Sequence, residues 1–156
     1  MTAILESPIR SMARGNGNPL LPVRGVMSLI DRNEDQILKM AQSGELLWVF
    51  DLSLEPERTQ RRELRILPAC VADYLLGRKC DLDWATVLDL ILPPNNPRLS
   101  TEEVTRALNV SNAHVFALAR RNLIPPAVST WRRGPGNSAQ FLTADVADFL
   151  RGRRFP

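Results

Sequence analysis

Long apolar runs are missing from this 156-residue chain. No stretch approaches the roughly 18 consecutive apolar residues that a membrane-crossing helix needs. The sequence therefore predicts a chain that does not cross a membrane. Cysteine and histidine are scarce: Cys70 and Cys80 lie ten positions apart with no CxxC spacing, and the single histidine, His114, is distant. A structural zinc site usually takes four well-spaced ligands, so no metal site is expected and both thiols are expected to be reduced. Also absent are a Gly-rich phosphate loop, a nucleophile beside a base, and a close pair of carboxylates. Those absences point away from an enzyme and from a bound cofactor. The first residues mix Gly, Asn, Pro and Ser with Arg10 and Arg14 and lack the continuous apolar core of a secretory signal. Residues 1–19 are accordingly expected to form a flexible arm on a cytoplasmic protein.

The charge is more informative in its distribution than in its sum of +3. Residues 20–80 carry nine basic and nine acidic side chains, residues 81–97 three aspartates, and residues 98–156 nine arginines against four acids. Eighteen of the twenty basic residues are arginine, the side chain suited to bidentate contacts with phosphate and guanine. The C-terminal concentration of positive charge is the feature expected of a polyanion-binding half.

An internal repeat organises the chain. A shift of 78 sets Leu21 on Leu99, Val26 on Val104, Ile30 on Leu108, Ile37 on Val115 and Met40 on Leu118 without a gap. After a three-residue change in a connecting segment the shift becomes 75, and Arg65–Lys79 lies on Gln140–Arg154 with eight identities in fifteen positions. Self-similarity of that density implies duplication, and two copies are too few for a solenoid. The division expected is an arm over 1–19, a first repeat over 20–80, a connector over 81–97 and a second repeat over 98–156.

Each repeat has the punctuation of two short helices joined by a tight turn. In the second, Ser100 and Glu103 form a capping box, a helix runs to about Leu108, Asn109-Val110 turn, Ser111 caps a helix to about Arg121, and Asn122 ends it. In the first, Val23 to Ile30 is followed by a turn at Asp31-Arg32, Asn33 as cap and Gly44 as stop. A hairpin follows each pair. Trp48, Phe50, Leu52 and Leu54 alternate with Val49, Asp51 and Ser53 before a return strand near Leu64 and Ile66; Ala127–Trp131 and Ser138–Leu142 flank an Arg-Arg-Gly-Pro-Gly tip. A last helix starts near Pro68 or is capped by Thr143, and is followed by Gly77 or Gly152. Between the repeats, Asp83 caps a connector helix whose Trp84, Val87, Leu88 and Ile91 share one face.

This order, with LSTEEVTRALNVSNAHVFALARRNLIPPA and FLTADVADFLRGRR in the second repeat, resembles the MerR-like and excisionase-like winged helix-turn-helix domains. The resemblance covers about 55 residues per repeat. It implies a mainly α fold with small β-hairpin wings, built as tandem winged helix-turn-helix domains, whose partner is double-stranded DNA. It further implies that the second helix of the pair enters the major groove and the wing reaches backbone or minor groove. Carried over by position, the DNA-facing residues are Asn112, His114 and Ala117 on the helix, Arg120 and Arg121 near phosphates, and Arg132 and Arg133 on the wing. In the first repeat the wing carries Arg58, Arg61 and Arg62. The resemblance departs from pattern where the middle of the reading helix has Ala113 and Ala117 in place of a basic residue.

The function expected is sequence-specific DNA binding in transcriptional regulation, with the second repeat as principal reader. Two alternatives stay open. One is a recombination directionality factor, an excisionase that bends DNA for an integrase. The other is a protein-interaction module of winged-helix type that does not bind DNA, favoured by Glu34 and Asp35 at the start of the first repeat's reading helix. A homodimer or a partner protein would then use the first repeat or the connector helix.

Overall fold

A computed structural model describes residues 18–55, 62–93, 95–130 and 138–155. The expected arm therefore falls, apart from Asn18 and Pro19, outside the described residues. The first repeat runs β1 (Leu21–Pro22), α1 (Val23–Ile30), α2 (Glu34–Ser43), β2 (Val49–Asp51), β3 (Leu64–Ile66) and α3 (Pro68–Leu75). The connector helix is α4 (Trp84–Ile91). The second repeat runs β4 (Arg98–Ser100), α5 (Thr101–Leu108), α6 (Asn112–Arg120), β5 (Pro126–Thr130), β6 (Ser138–Leu142) and α7 (Thr143–Arg153). The architecture is mixed α/β, with two small three-stranded sheets ordered β1-β3-β2 and β4-β6-β5.

Local chemistry explains the helix boundaries. The Asn33 side chain accepts from the Gln36 N–H at 2.9 Å, and the Ser111 hydroxyl accepts from the His114 N–H at 3.1 Å. Each satisfies one of the free donors at a helix start. Ser100 and Glu103 close a reciprocal capping box at 3.2 and 3.1 Å. Both inter-helix turns pass through a left-handed residue, Asp31 at φ 52° and Asn109 at φ 53°, and α2 ends at Gly44 with φ 84° where the second repeat has Asn122 at φ 57°. Asp and Asn are among the few side chains that tolerate this region, and Gly enters it freely. Asp83 caps α4 by accepting from the Thr86 N–H at 2.8 Å, and hydrogen bonding from the Thr86 side chain, together with that backbone bond, lowers the pKa of its carboxyl.

Strand register repeats with the sequence. Leu21 pairs with Ile66 and Leu99 with Phe141; Pro22 pairs with Arg65 and Ser100 with Gln140. First partners are 78 apart and second partners 75, the same two shifts as in the sequence. The hairpin obeys them too: Phe50 opposite Arg65 corresponds to Val128 opposite Gln140, and Asp51 opposite Leu64 to Ser129 opposite Ala139. Only Pro126 departs, across a β-bulge before Val128.

The first strands, β1 and β4, were not expected. They are two and three residues long, too short for an alternation to register. Three further expectations change. Gly152 lies inside α7 instead of after it, whereas Gly77 follows α3 in a left-handed conformation at φ 67°. Thr143 is the first residue of α7 and not its cap; its hydroxyl donates to the Asn96 carbonyl and its N–H to the Pro97 carbonyl. The strand expected over Trp48–Leu54 is confined to Val49–Asp51, with both of its faces buried.

That double burial reveals how the repeats are joined. Val49 belongs to the first repeat's own core with Val26, Ile37 and Ile66. Trp48, Phe50 and Leu52 point the other way, into a core that continues through Val87 and Ile91 of α4 to Leu108, Val115 and Phe141 of the second repeat. Asp51 and Ser53, although polar, are only 5% and 4% exposed. Full burial of an aromatic such as Phe50 contributes about 2–3 kcal/mol, so this face is a principal source of cohesion between the repeats. Trp84 stacks on Trp48 with ring centroids 5.8 Å apart, which gives the connector aromatic a packing role.

Candidate nucleic-acid interface

The α5–turn–α6 unit of the second repeat presents unequally the residues that the resemblance selects. Val115, Leu118 and Ala119 bury one side of α6, and its opposite side carries exposed Asn112, Ala113 and Arg120, with Ala117 half-buried. Asn112 is exposed, and its side-chain oxygen accepts from the Thr105 hydroxyl at 2.8 Å. That bond orients the amide so that its NH2 group points away from α5. Arg120 is exposed in the last turn of α6, and Arg98 and Arg106 are exposed on β4 and α5. Ala113 and Ala117 keep the exposed face shallow, which suits close approach to a groove and contacts with thymine methyl groups.

His114 does not belong to that face. It is half-buried, and its Nε2 lies 2.6 Å from the Leu52 carbonyl oxygen of the first repeat. Since a carbonyl only accepts, Nε2 carries the proton and donates. The ring of His114 thus faces a different surface of this same chain. Arg121 is also engaged across the repeats, pairing with Glu55 at 3.2 Å, with both side chains close to half exposed. Such a pair contributes little to stability.

Arg62 is likewise redirected. It sits 3.9 Å from an Asp51 carboxylate oxygen and 5.5 Å from the centre of the Phe155 ring, half-buried at the foot of the first hairpin. These contacts place it where the first hairpin meets the end of the second repeat. Arg58, Arg61, Arg132 and Arg133 lie outside the described residues. On the first repeat's equivalent helix, Glu34, Asp35, Gln36 and Lys39 are all exposed. Acids occupy that helix start where α6 has Asn112 and Ala113.

The sequence reading missed a set of arginines that hold the repeats together. Arg153 Nη1 donates to the Ser53 carbonyl at 2.7 Å, and Arg154 donates to the Leu47 carbonyl at 3.1 Å while its guanidinium lies 3.8 Å from the centre of a Trp48 ring. Arg65 donates to the Asn109 carbonyl at 2.8 Å, and Asn109 donates to the Leu20 carbonyl at 3.1 Å. Burial lowers the pKa of both Arg65 and Arg153 below the ordinary arginine value. The Phe155 N–H bonds the Val49 carbonyl at 2.9 Å, extending the edge of β2.

These bonds join inequivalent surfaces. The second repeat contributes its inter-helix turn, one flank of α6 and the end of α7; the first contributes β2, its flanks, Arg65 and Leu20. The relation is head-to-tail, so the α6 flank is covered while the corresponding flank of α2 carries none of these bonds. Among the described residues no three His, Cys, Asp or Glu side chains come together as a metal site, and no helix is long and apolar enough to cross a membrane. Set against family models, curated proteins and solved structures, the chain has no match in any of the three.

Proposed function

We propose that this chain is a non-enzymatic DNA-binding protein of tandem winged helix-turn-helix type, acting in transcriptional regulation, with α6 as the helix that enters the major groove. The observation that carries the reading is the exposed α6 face: Asn112, Ala113 and Arg120 present no acid, and Arg98 and Arg106 are exposed nearby in sequence. Asn112 is suited to adenine, the alanines to thymine methyls, and the arginines to phosphates. Arg132 and Arg133 add two more cations to the sequence of the same repeat. The first repeat serves as a docked support, holding α6 by its His114 and Arg121 flank.

One observation favours a second reading, a winged-helix module that binds protein. His114 and Arg121 are already bound within the chain, and α2 offers carboxylates where a groove reader would offer donors. A salt titration separates the two. With about five phosphates neutralised, the log-log slope of DNA affinity against salt is expected near −4 to −5. A slope near zero from low to moderate salt would remove DNA binding and leave the protein-binding reading.

A further inference from the structure

The structure assigns Cys70 and Cys80 as a thiol pair that closes to an intramolecular disulfide at the point where the connector leaves the first repeat. Their sulfurs are 3.0 Å apart. That is inside ordinary sulfur van der Waals contact, and a shift of about 1 Å brings them to the bonding distance near 2.05 Å. The approach is built by the backbone. Gly77, at φ 67°, reverses the chain after α3, and Arg78 N–H bonds the Asp73 carbonyl at 2.7 Å, so the next residues run back along the helix that carries Cys70. Neither cysteine belongs to the plan shared by the repeats: the second has Asp145 and Phe155 at the matching positions. The pair is thus particular to the first repeat and its junction with α4.

The two thiols are unequal. Cys70 is 1% exposed and packs in the core that also holds Trp48, whereas Cys80 is half-buried and open to solvent on one side. Burial raises the pKa of the Cys70 thiol and keeps it protonated until a reaction draws the proton off. Cys80 consequently meets a reagent first. With a low-molecular-weight disulfide as oxidant, the Cys80 thiolate attacks one reagent sulfur, breaks its S–S bond and releases one reagent thiol after proton uptake. Cys70 then gives its proton to solvent, and its thiolate attacks the Cys80 sulfur of the mixed disulfide and expels the second reagent thiol. Two protein thiols and one reagent disulfide become one protein disulfide and two reagent thiols, with two electrons passing to the reagent. The bond ties α3 to the start of the connector, beside the Trp48–Trp84 stack.

The test treats the full chain with oxidised glutathione and reads intact mass, free thiols and a peptide map. The expected product is a monomer two hydrogens lighter, with no free thiol and a Cys70–Cys80 cross-linked peptide. Its tryptophan emission changes and returns on reduction. Cys70→Ala is expected to stop at a stable glutathione adduct on Cys80, and Cys80→Ala to react at least tenfold more slowly than the parent chain. A parent chain that accumulates the glutathione adduct, or keeps both thiols while unfolded protein reacts fully, overturns the pair. An adduct formed as fast on Cys80→Ala as on the parent overturns the order of attack.

Discussion

His114 and Leu52 are 62 positions apart, yet the imidazole Nε2 of one donates to the carbonyl of the other at 2.6 Å. The bond places one flank of α6 against the first hairpin and leaves the Asn112, Ala113 and Arg120 side of the helix exposed. His114 serves as an anchor between the repeats. Orientation of the candidate reader thus depends on the first repeat.

Replacing His114 by Ala should therefore act on stability before it acts on DNA. The Leu52 carbonyl would lose its partner in a half-buried site, a loss of about 1–2 kcal/mol. For a chain of this size that corresponds to a fall in melting temperature of roughly 3–6 °C. DNA affinity of the folded variant, measured by anisotropy well below its melting temperature, should remain within about threefold of the parent. A hundredfold loss of affinity with an unchanged melting temperature would restore His114 to the groove.

Separating the repeats should expose what joins them. In a fragment of residues 18–82, Trp48, Phe50 and Leu52, each no more than 4% exposed in the full chain, lose the cover of α4 and the second repeat. An apolar patch of this kind drives association. The fragment is expected to aggregate or melt below the full chain in light scattering and circular dichroism. A monomeric fragment as stable as the whole would mean that the shared core contributes little.

Much of the local plan was legible in the sequence because it is encoded within a few residues. Asn33, Ser100, Ser111 and Asp83 cap helices through side chains acting three positions ahead, and Gly44 and Asn122 take the left-handed stops that their chemistry favours. The two shifts of the repeat, 78 and 75, recur in the strand register, since matching apolar spacing builds matching ladders. The joint was not legible. Arg65 acts across 44 positions and Arg154 across 107, distances at which no periodicity links the partners. Alternation along Trp48–Ser53 did show two faces, but burial of the second depends on a neighbour that alternation cannot name. For the same reason nothing local in the sequence marks His114 and Arg62 as residues of the joint.

Arg132 and Arg133 test the contribution of the segment between β5 and β6. Changing both to Ala should weaken binding to all DNA sequences alike, because phosphate contacts carry no base information. The slope of log affinity against log salt should become shallower by about 2. Equal affinity and slope for the variant and parent would confine the interface to α6 and its flanking arginines.

The difference between the repeats gives the sharpest test of which helix reads. Ala113 and Asp35 occupy matching positions, 78 apart, in the first turns of α6 and α2, and both are exposed. A carboxylate there suits the helix dipole, so Ala113→Glu should fold as well as the parent. Against a phosphate backbone the same charge is repulsive, and DNA affinity at moderate salt should fall by at least about tenfold. The converse double change, Glu34→Gln with Asp35→Asn, removes repulsion only if α2 also approaches DNA. With α6 as the sole reader, it should leave affinity within about twofold of the parent. Binding by Ala113→Glu at parental strength, together with a tenfold gain from the neutralised first repeat, would move the reading helix from α6 to α2.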